Sequence, residues 1–185
     1  LVVDVEMPGM NGIEFLEKIM RLRPMPVVMV SSLTQPGAAT TLHALELGAV
    51  DCVGKPDLED LNEKVKAAAT AKVSARSVAV RRAISQKSGS FGDQVIVIGS
   101  STGGVEALIN VIGTFPENCP PTLIAQHMPR TFTTSFAARL DRVGHVSVSE
   151  ATDGAVLKPG QVYLAPGGTH LEVAGQHSAV CRLVE

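Results

Sequence analysis

Short, unbroken apolar runs alternate along this chain with stretches of helical spacing, and that alternation constrains the fold more than any other feature. Val27-Val28-Met29-Val30 carries no polar break. Strands of that composition belong to parallel sheets covered on both faces. Leu1-Val2-Val3 is the remnant of another strand. Apolar residues at Ile13, Leu16, Ile19 and Met20 predict a helix from Asn11 to Arg23. A second helix is expected over Thr40 to Leu47, with Gly48 as its left-handed terminal cap, then a strand over Ala49 to Val53. Leu58, Leu61, Val65 and Ala68 mark a further helix. Strand–helix alternation of this kind argues an α/β fold on a parallel sheet.

The alternation runs in two sets. The helical pattern fades after Arg76, and Ser85 to Asp93 is polar and rich in Gly and Ser, the composition of a linker. The boundaries read from this are a first domain over 1–76, a linker over 77–93 and a second domain over 94–185. The second set predicts a strand from Val95 to Ile98, a helix from Val105 to Ile112, a strand from Leu123 to Ala125 and a helix from about Thr133 to Leu140. Val146 and Val148 alternate with polar neighbours, and Val162 to Ala165 is another strand. Leu171 to Val173 and Ala179 to Val184 flank Gly175-Gln176 as a hairpin. Both ends read as cut: the chain begins inside an apolar run and stops on Cys181-Arg182-Leu183-Val184-Glu185, a strand pattern.

Composition removes several function classes. A formal net charge of -2 gives no basic face for nucleic acid. No apolar run reaches the ~18 residues needed to span a membrane, and no charged n-region precedes an apolar h-region. Cys52, Cys119 and Cys181 are widely spaced, without a CxxC or a His at metal-ligand spacing, which fits reduced thiols in the cytoplasm. Aromatic residues are only 3% of the chain, so the core must be aliphatic.

Two constellations carry chemistry. In the first, Asp4, Ser31 and Lys55 each end a strand, so acid, hydroxyl and ammonium converge on the carboxyl edge of one sheet, where such folds place ligands. An aspartate can accept a phosphoryl group, and a lysine can hold its oxygens. Read singly, Asp4 is equally a turn residue and Lys55 a solvated end. The strings are more specific. Asp4-Val5-Glu6-Met7-Pro8-Gly9-Met10-Asn11-Gly12, Met29-Val30-Ser31-Ser32 and Gly54-Lys55-Pro56 resemble a response-regulator receiver domain, from residue 1 to about 75. That resemblance implies a flavodoxin-like fold with sheet order 2-1-3-4-5, its first two strands outside this chain. It implies Asp4 as phosphoacceptor, Ser31 as the switch hydroxyl and Lys55 as the phosphate-binding lysine. It also implies Mg²⁺, bound by Asp4, by the main-chain oxygen of Glu6 and by an acidic pair on the absent first strand. Cys52 departs from the family, which has an aromatic switch residue there.

The second constellation is Ile96-Val97-Ile98-Gly99-Ser100-Ser101-Thr102-Gly103-Gly104: strand, glycine-rich turn, helix start. Gly99-x-Ser101-x-Gly103 satisfies the pattern of a nucleophile elbow, and N–H groups at a helix start can stabilise an oxyanion. A dinucleotide fingerprint fails because position 101 is Ser, and a P-loop fails because Val105-Glu106 follows Gly104. A phosphate-holding turn stays open on this string alone. His127 follows the strand Leu123 to Gln126, which places it on the same edge as a candidate base.

Longer strings narrow the choice. Gln126-His127-Met128-Pro129, Phe132-Thr133, Ser135-Phe136-Ala137, Asp153-Gly154, Leu157-x-Pro159-Gly160 and Tyr163-Leu164-Ala165-Pro166-Gly167-Gly168-x-His170 resemble the catalytic domain of protein-glutamate methylesterase, from about 94 to 185. That family joins its catalytic domain to a receiver in this order. The resemblance implies a doubly wound parallel-sheet domain and a Ser-His-Asp triad, with Ser101 as nucleophile, His127 as base and Thr102 as an orienting or oxyanion residue. The triad aspartate comes late in the family and lies beyond the end of this chain; Asp141 and Asp153 do not match it. His170 is a loop residue near the site, His145 and His177 are surface residues, and the cysteines and Met7, Met10, Met25 and Met29 have packing roles.

The resulting expectation is a phosphorylation-regulated hydrolase of glutamate γ-methyl esters on methyl-accepting chemotaxis receptors, which also deamidates glutamines. A sensor histidine kinase is the phosphodonor. Mg²⁺ serves phosphorylation, and ester hydrolysis needs no cofactor. The rival readings are a receiver-linked module that binds receptor tails without turnover, and a transcriptional regulator, disfavoured by near-neutral charge and the lack of a helix-turn-helix.

Overall fold

The computed structural model describes residues 1–32, 34–56, 58–73, 94–175 and 178–185. It is α/β, with parallel sheets in two compact units, Leu1–Val80 and Arg81–Glu185. The expected linker over 77–93 and His177 fall outside the described residues.

The first unit runs β1 (Val2–Asp4), α1 (Gly12–Leu22), β2 (Val28–Ser32), α2 (Gln35–Glu46), β3 (Asp51–Lys55) and α3 (Leu61–Ala69). The three strands are parallel in the order β1-β2-β3. Central β2 is apolar and covered, with Val28 and Met29 almost fully buried. Helix α1 is where its spacing predicts. The Asn11 side chain caps it by accepting from the Ile13 N–H at 2.9 Å, and Leu16 is fully buried.

Two boundaries differ from the sequence reading for local reasons. Helix α2 begins five residues before Thr40 because Thr34 caps it, its hydroxyl accepting from the Gly37 N–H at 3.2 Å, with Pro36 in the first turn. Strand β3 begins at Asp51 instead of Ala49 because the Ala49 N–H still belongs to the helix end, donating to Ala44 O at 3.0 Å. Gly48 has the expected left-handed backbone, with φ of 110°.

A buried ion pair that no motif announced joins α3 to β3. Lys64 Nζ lies 3.2 Å from Asp51 Oδ1 and donates to Cys52 O at 2.9 Å. Asp51 Oδ1 also accepts from the Cys52 N–H at 2.7 Å. Both residues are less than a tenth exposed. Removing one partner leaves the other charge desolvated and uncompensated. Lys64→Met is therefore expected to destabilise the protein by about 3–5 kcal/mol, read from urea unfolding. An unchanged unfolding midpoint would show that water reaches Asp51.

The second unit runs β4 (Ile96–Ser100), α4 (Gly104–Ile112), β5 (Thr122–Gln126), α5 (Arg130–Val143), β6 (Ser147–Glu150), β7 (Gln161–Leu164), β8 (His170–Ala174) and β9 (Val180–Val184). Strands β4-β5-β7-β6 form a parallel sheet in that order, and β8 and β9 an antiparallel hairpin. Helix α5 starts three residues before Thr133, after Pro129, whose carbonyl accepts from the Phe132 N–H at 2.9 Å. Its face of Phe132, Phe136 and Leu140 is fully buried at helical spacing. The hairpin packs through Cys181 onto Leu123, Leu157 and Tyr163, so the few aromatics serve as core anchors.

Candidate functional site

In the first unit, Asp4 is the last residue of β1 and Lys55 the last of β3, and the two strands flank β2. Lys55 Nζ reaches across β2 to form a hydrogen-bonded ion pair with Asp4 Oδ2. The other carboxylate oxygen, Oδ1, accepts from the Glu6 N–H at 3.1 Å. The Lys55 hydrogen bond holds the Asp4 carboxyl below the ordinary aspartate value, against a smaller opposing effect of burial. The pairing thus favours the ionised form of Asp4.

Ser31 lies on the same edge but is 1% exposed, and its hydroxyl donates to Gly37 O at 3.4 Å. The site brings Asp4 and Lys55 into contact and keeps Ser31 on the strand between them, bonded to α2. A cleft of about 410 Å³ opens beside this edge, lined in part by Glu6, Asn11, Ser31 and Thr34. Gly12 closes the other side of the Asp4 loop. Its N–H donates to Val5 O at 3.0 Å, and a Cβ there would lie 2.1 Å from Asp4 O, so only glycine permits the approach.

The pH behaviour follows from the direction of the Asp4 shift. A carboxyl whose folded pKa is depressed adds stability above its unfolded pKa, and that stability is lost as pH falls through the folded value. In a carbon-detected NMR titration, Asp4 is expected to titrate below the ordinary aspartate range and Lys55→Met to bring it back up. An Asp4 midpoint unmoved by the substitution would contradict the pairing.

In the second unit, β4 and β5 are paired in register through Ser100 and Gln126 at their carboxyl ends. Ser101 and His127 are the next residues on each strand, both exposed. Neighbouring parallel strands lie roughly 4.8 Å apart. The His127 N–H donates to Ser100 O at 3.0 Å, so the two backbones stay joined to the last residue before the turn. Thr102 and Gly103 make the turn, Gly103 with φ of 78°, and α4 begins at Gly104, whose N–H donates to Ser101 O at 2.8 Å. The site therefore offers an exposed hydroxyl, an imidazole on the adjacent strand end and the N-terminus of a helix. That set suits acyl transfer.

The remaining candidates separate cleanly. Asp141 Oδ1 accepts from the Val148 N–H at 2.8 Å and Asp153 Oδ1 from the Leu183 N–H at 2.9 Å, so both carboxylates have structural work. His145 and His170 are exposed, His170 opening β8. All three cysteines are buried and free. Burial, with the Asp51 charge beside it, pushes the Cys52 thiol up to about 12, which makes it inert. Among the described residues no three His, Cys, Asp or Glu are grouped to hold a metal. A residue without an assigned role in the motifs, Gln126, bridges the two strand ends with its side chain. The string Gln126-His127-Met128-Pro129 contained it, but its contacts to Ser100 and Ser101 cross to the other strand and leave no sequence signal.

The family model for the response regulator receiver domain matches residues 1–66, and that for CheB methylesterase matches residues 96–184. The chain belongs to the receiver-linked CheB methylesterases. Over its whole length it is 59% identical to protein-glutamate methylesterase/protein-glutamine glutaminase 1 of Caulobacter vibrioides, and 54% identical to the protein-glutamate methylesterase/protein-glutamine glutaminase of Agrobacterium fabrum. It spans 57% and 56% of those curated relatives, about half their length. Among solved structures it is similar to the Thermotoga maritima CheB methylesterase catalytic domain, at 44% identity over 50% of each chain and a TM-score of 0.48. Asp4, Ser31 and Lys55 fall within the receiver match, and Ser101, Thr102 and His127 within the CheB methylesterase match.

Proposed function

We propose that the full-length protein hydrolyses glutamate γ-methyl esters on methyl-accepting chemotaxis receptors, and deamidates glutamines there, through an acyl-enzyme on Ser101. The observation that carries this reading is the pairing of β4 with β5, which sets Ser101 beside His127 on one sheet edge. His127 takes the proton as Ser101 Oγ attacks the γ-carbonyl. The oxyanion is met by N–H groups at the start of α4, with Thr102 orienting the turn. The bond to the methoxy group breaks, and His127 returns the proton so that methanol leaves. Water, deprotonated by His127, then releases the glutamate carboxylate and restores the serine. With an amide substrate the same steps release ammonia. An aspartate supplied outside these residues orients His127.

The receiver half gates this activity. Asp4 accepts a phosphoryl group from a sensor histidine kinase, Lys55 moves from the carboxylate to the phosphoryl oxygens, and the Ser31 hydroxyl exchanges Gly37 O for the same group. The Asp4 carboxylate and the Glu6 carbonyl are hard oxygen donors on one exposed edge, the type that suits Mg²⁺. When bound, Mg²⁺ neutralises charge on the transferring phosphoryl group. Ester hydrolysis proceeds without a cofactor. The domains run over 1–76 and 94–185, joined by 77–93. Its place of action is the cytoplasm, on the inner parts of receptors, with no nucleic acid partner. Among the described residues no helix is long and apolar enough to cross a membrane.

The test is methanol release from methylated receptor by the full-length protein, with and without a phosphodonor. Release that rises on phosphorylation supports the reading. Receptor binding without release in either state would replace it with a binding module.

A further inference from the structure

We propose that Gln126 is a positioning residue for catalysis, a clamp that fixes the backbones of the nucleophile and the base relative to one another. The inference rests on the reading of Ser101 and His127 given above. Gln126 ends β5 and is 8% exposed. Its Nε2 donates to Ser101 O at 2.9 Å and to His127 O at 3.3 Å. Its Oε1 accepts from the Ser100 hydroxyl at 2.6 Å. One side chain thus holds the carbonyl of the candidate nucleophile, the carbonyl of the candidate base and the residue that ends β4.

The orientation of the amide has only one solution. Ser101 O and His127 O are carbonyls and can only accept, so the NH₂ group must face them. Turned over, the amide would set its oxygen against two carbonyl oxygens. The Ser100 hydroxyl then donates to the remaining lone-pair side. Glutamate has the same shape but no N–H to donate, so it reverses the interaction at both carbonyls. Asparagine is one methylene too short to span the same partners.

Gly104 is fitted to this clamp. A Cβ at position 104 would lie 2.1 Å from Gln126 Oε1 and 2.8 Å from Ser100 Cβ. The glycine at the start of α4 therefore makes room for the amide, and its N–H binds Ser101 O at 2.8 Å from the other side. Ser101 O is held at once by the helix start and by Gln126. Misplacing a reacting group by about 1 Å costs on the order of 10²-fold in rate. Because the clamp acts on main chain beneath the edge, its loss should lower kcat and leave KM nearly unchanged.

The experiment measures steady-state methanol release and thermal melting for full-length Gln126→Glu, Gln126→Ala, Ser100→Ala and Ser101→Ala. The expected result is a fall in kcat of about 10–10² for both Gln126 variants, with KM within about twofold of the parent, and a smaller fall for Ser100→Ala. Unchanged kcat in a Gln126 variant that melts cooperatively overturns the proposal. So does a raised KM with unchanged kcat, which would mean a substrate contact. If both Gln126 variants fail to fold, Ser100→Ala decides: a lower kcat at unchanged KM supports the clamp, and parental kinetics overturn it. Ser101→Ala separates the two levels. Activity retained there defeats the functional reading itself, whereas an inactive Ser101→Ala beside a fully active Gln126→Ala defeats the clamp alone.

Discussion

Ser101→Ala in the full-length protein is expected to lower methanol release by about 10⁴–10⁶-fold, and His127→Ala by a similar factor, while the double substitution is no worse than either. The nucleophile and base act as one unit: without His127 the hydroxyl keeps its proton, and without Ser101 the imidazole has no proton to move. Free energies of such a pair do not add. Both residues are exposed on the edge of a sheet whose core lies elsewhere, so neither change should shift the melting temperature by more than a degree or two. Rates are read by gas chromatography of methanol from methylated receptor membranes. Additive losses would mean that Ser101 and His127 act independently, and residual activity near the parental level in either would remove it from the site.

Asp4→Asn should abolish phosphorylation-dependent stimulation entirely. Asparagine keeps the volume of aspartate but offers no carboxylate to accept a phosphoryl group. It also leaves Lys55 without the anion it contacts across β2. Incubated with a small-molecule phosphodonor and Mg²⁺, the parent should gain the mass of one phosphoryl group and release methanol faster. The variant should gain neither. Retention of the added mass in the variant would place the phosphoryl group on another residue.

Much of this fold was legible because its local and long-range signals agree. An apolar run marked the covered strand β2, and the spacing of Ile13, Leu16, Ile19 and Met20 marked α1. The start of α2 was missed because the decisive residue, Thr34, acts as a cap through its side chain, and caps shift a boundary without changing hydrophobic period. Asp4, Lys55, Ser101 and His127 were visible because each ends a strand or opens a turn beside glycines or proline. What was not visible depends on contacts between elements distant in sequence. The Asp51–Lys64 pair joins residues of β3 and α3 that belong to no motif. Gln126 reads as the polar end of a strand until β4 lies beside it. Gly104 reads as part of a generic turn until the space it leaves is seen to hold the Gln126 amide.

The central claim is that Ser101 carries the acyl group. The most direct measurement is mass analysis of the full-length protein, rapidly quenched during turnover of a methylated receptor peptide and digested. A glutamyl ester is expected on the fragment containing Ser101, absent from Ser101→Ala and lost on prolonged incubation as water completes the reaction. An adduct on any other residue, or parental turnover by Ser101→Ala, would contradict it.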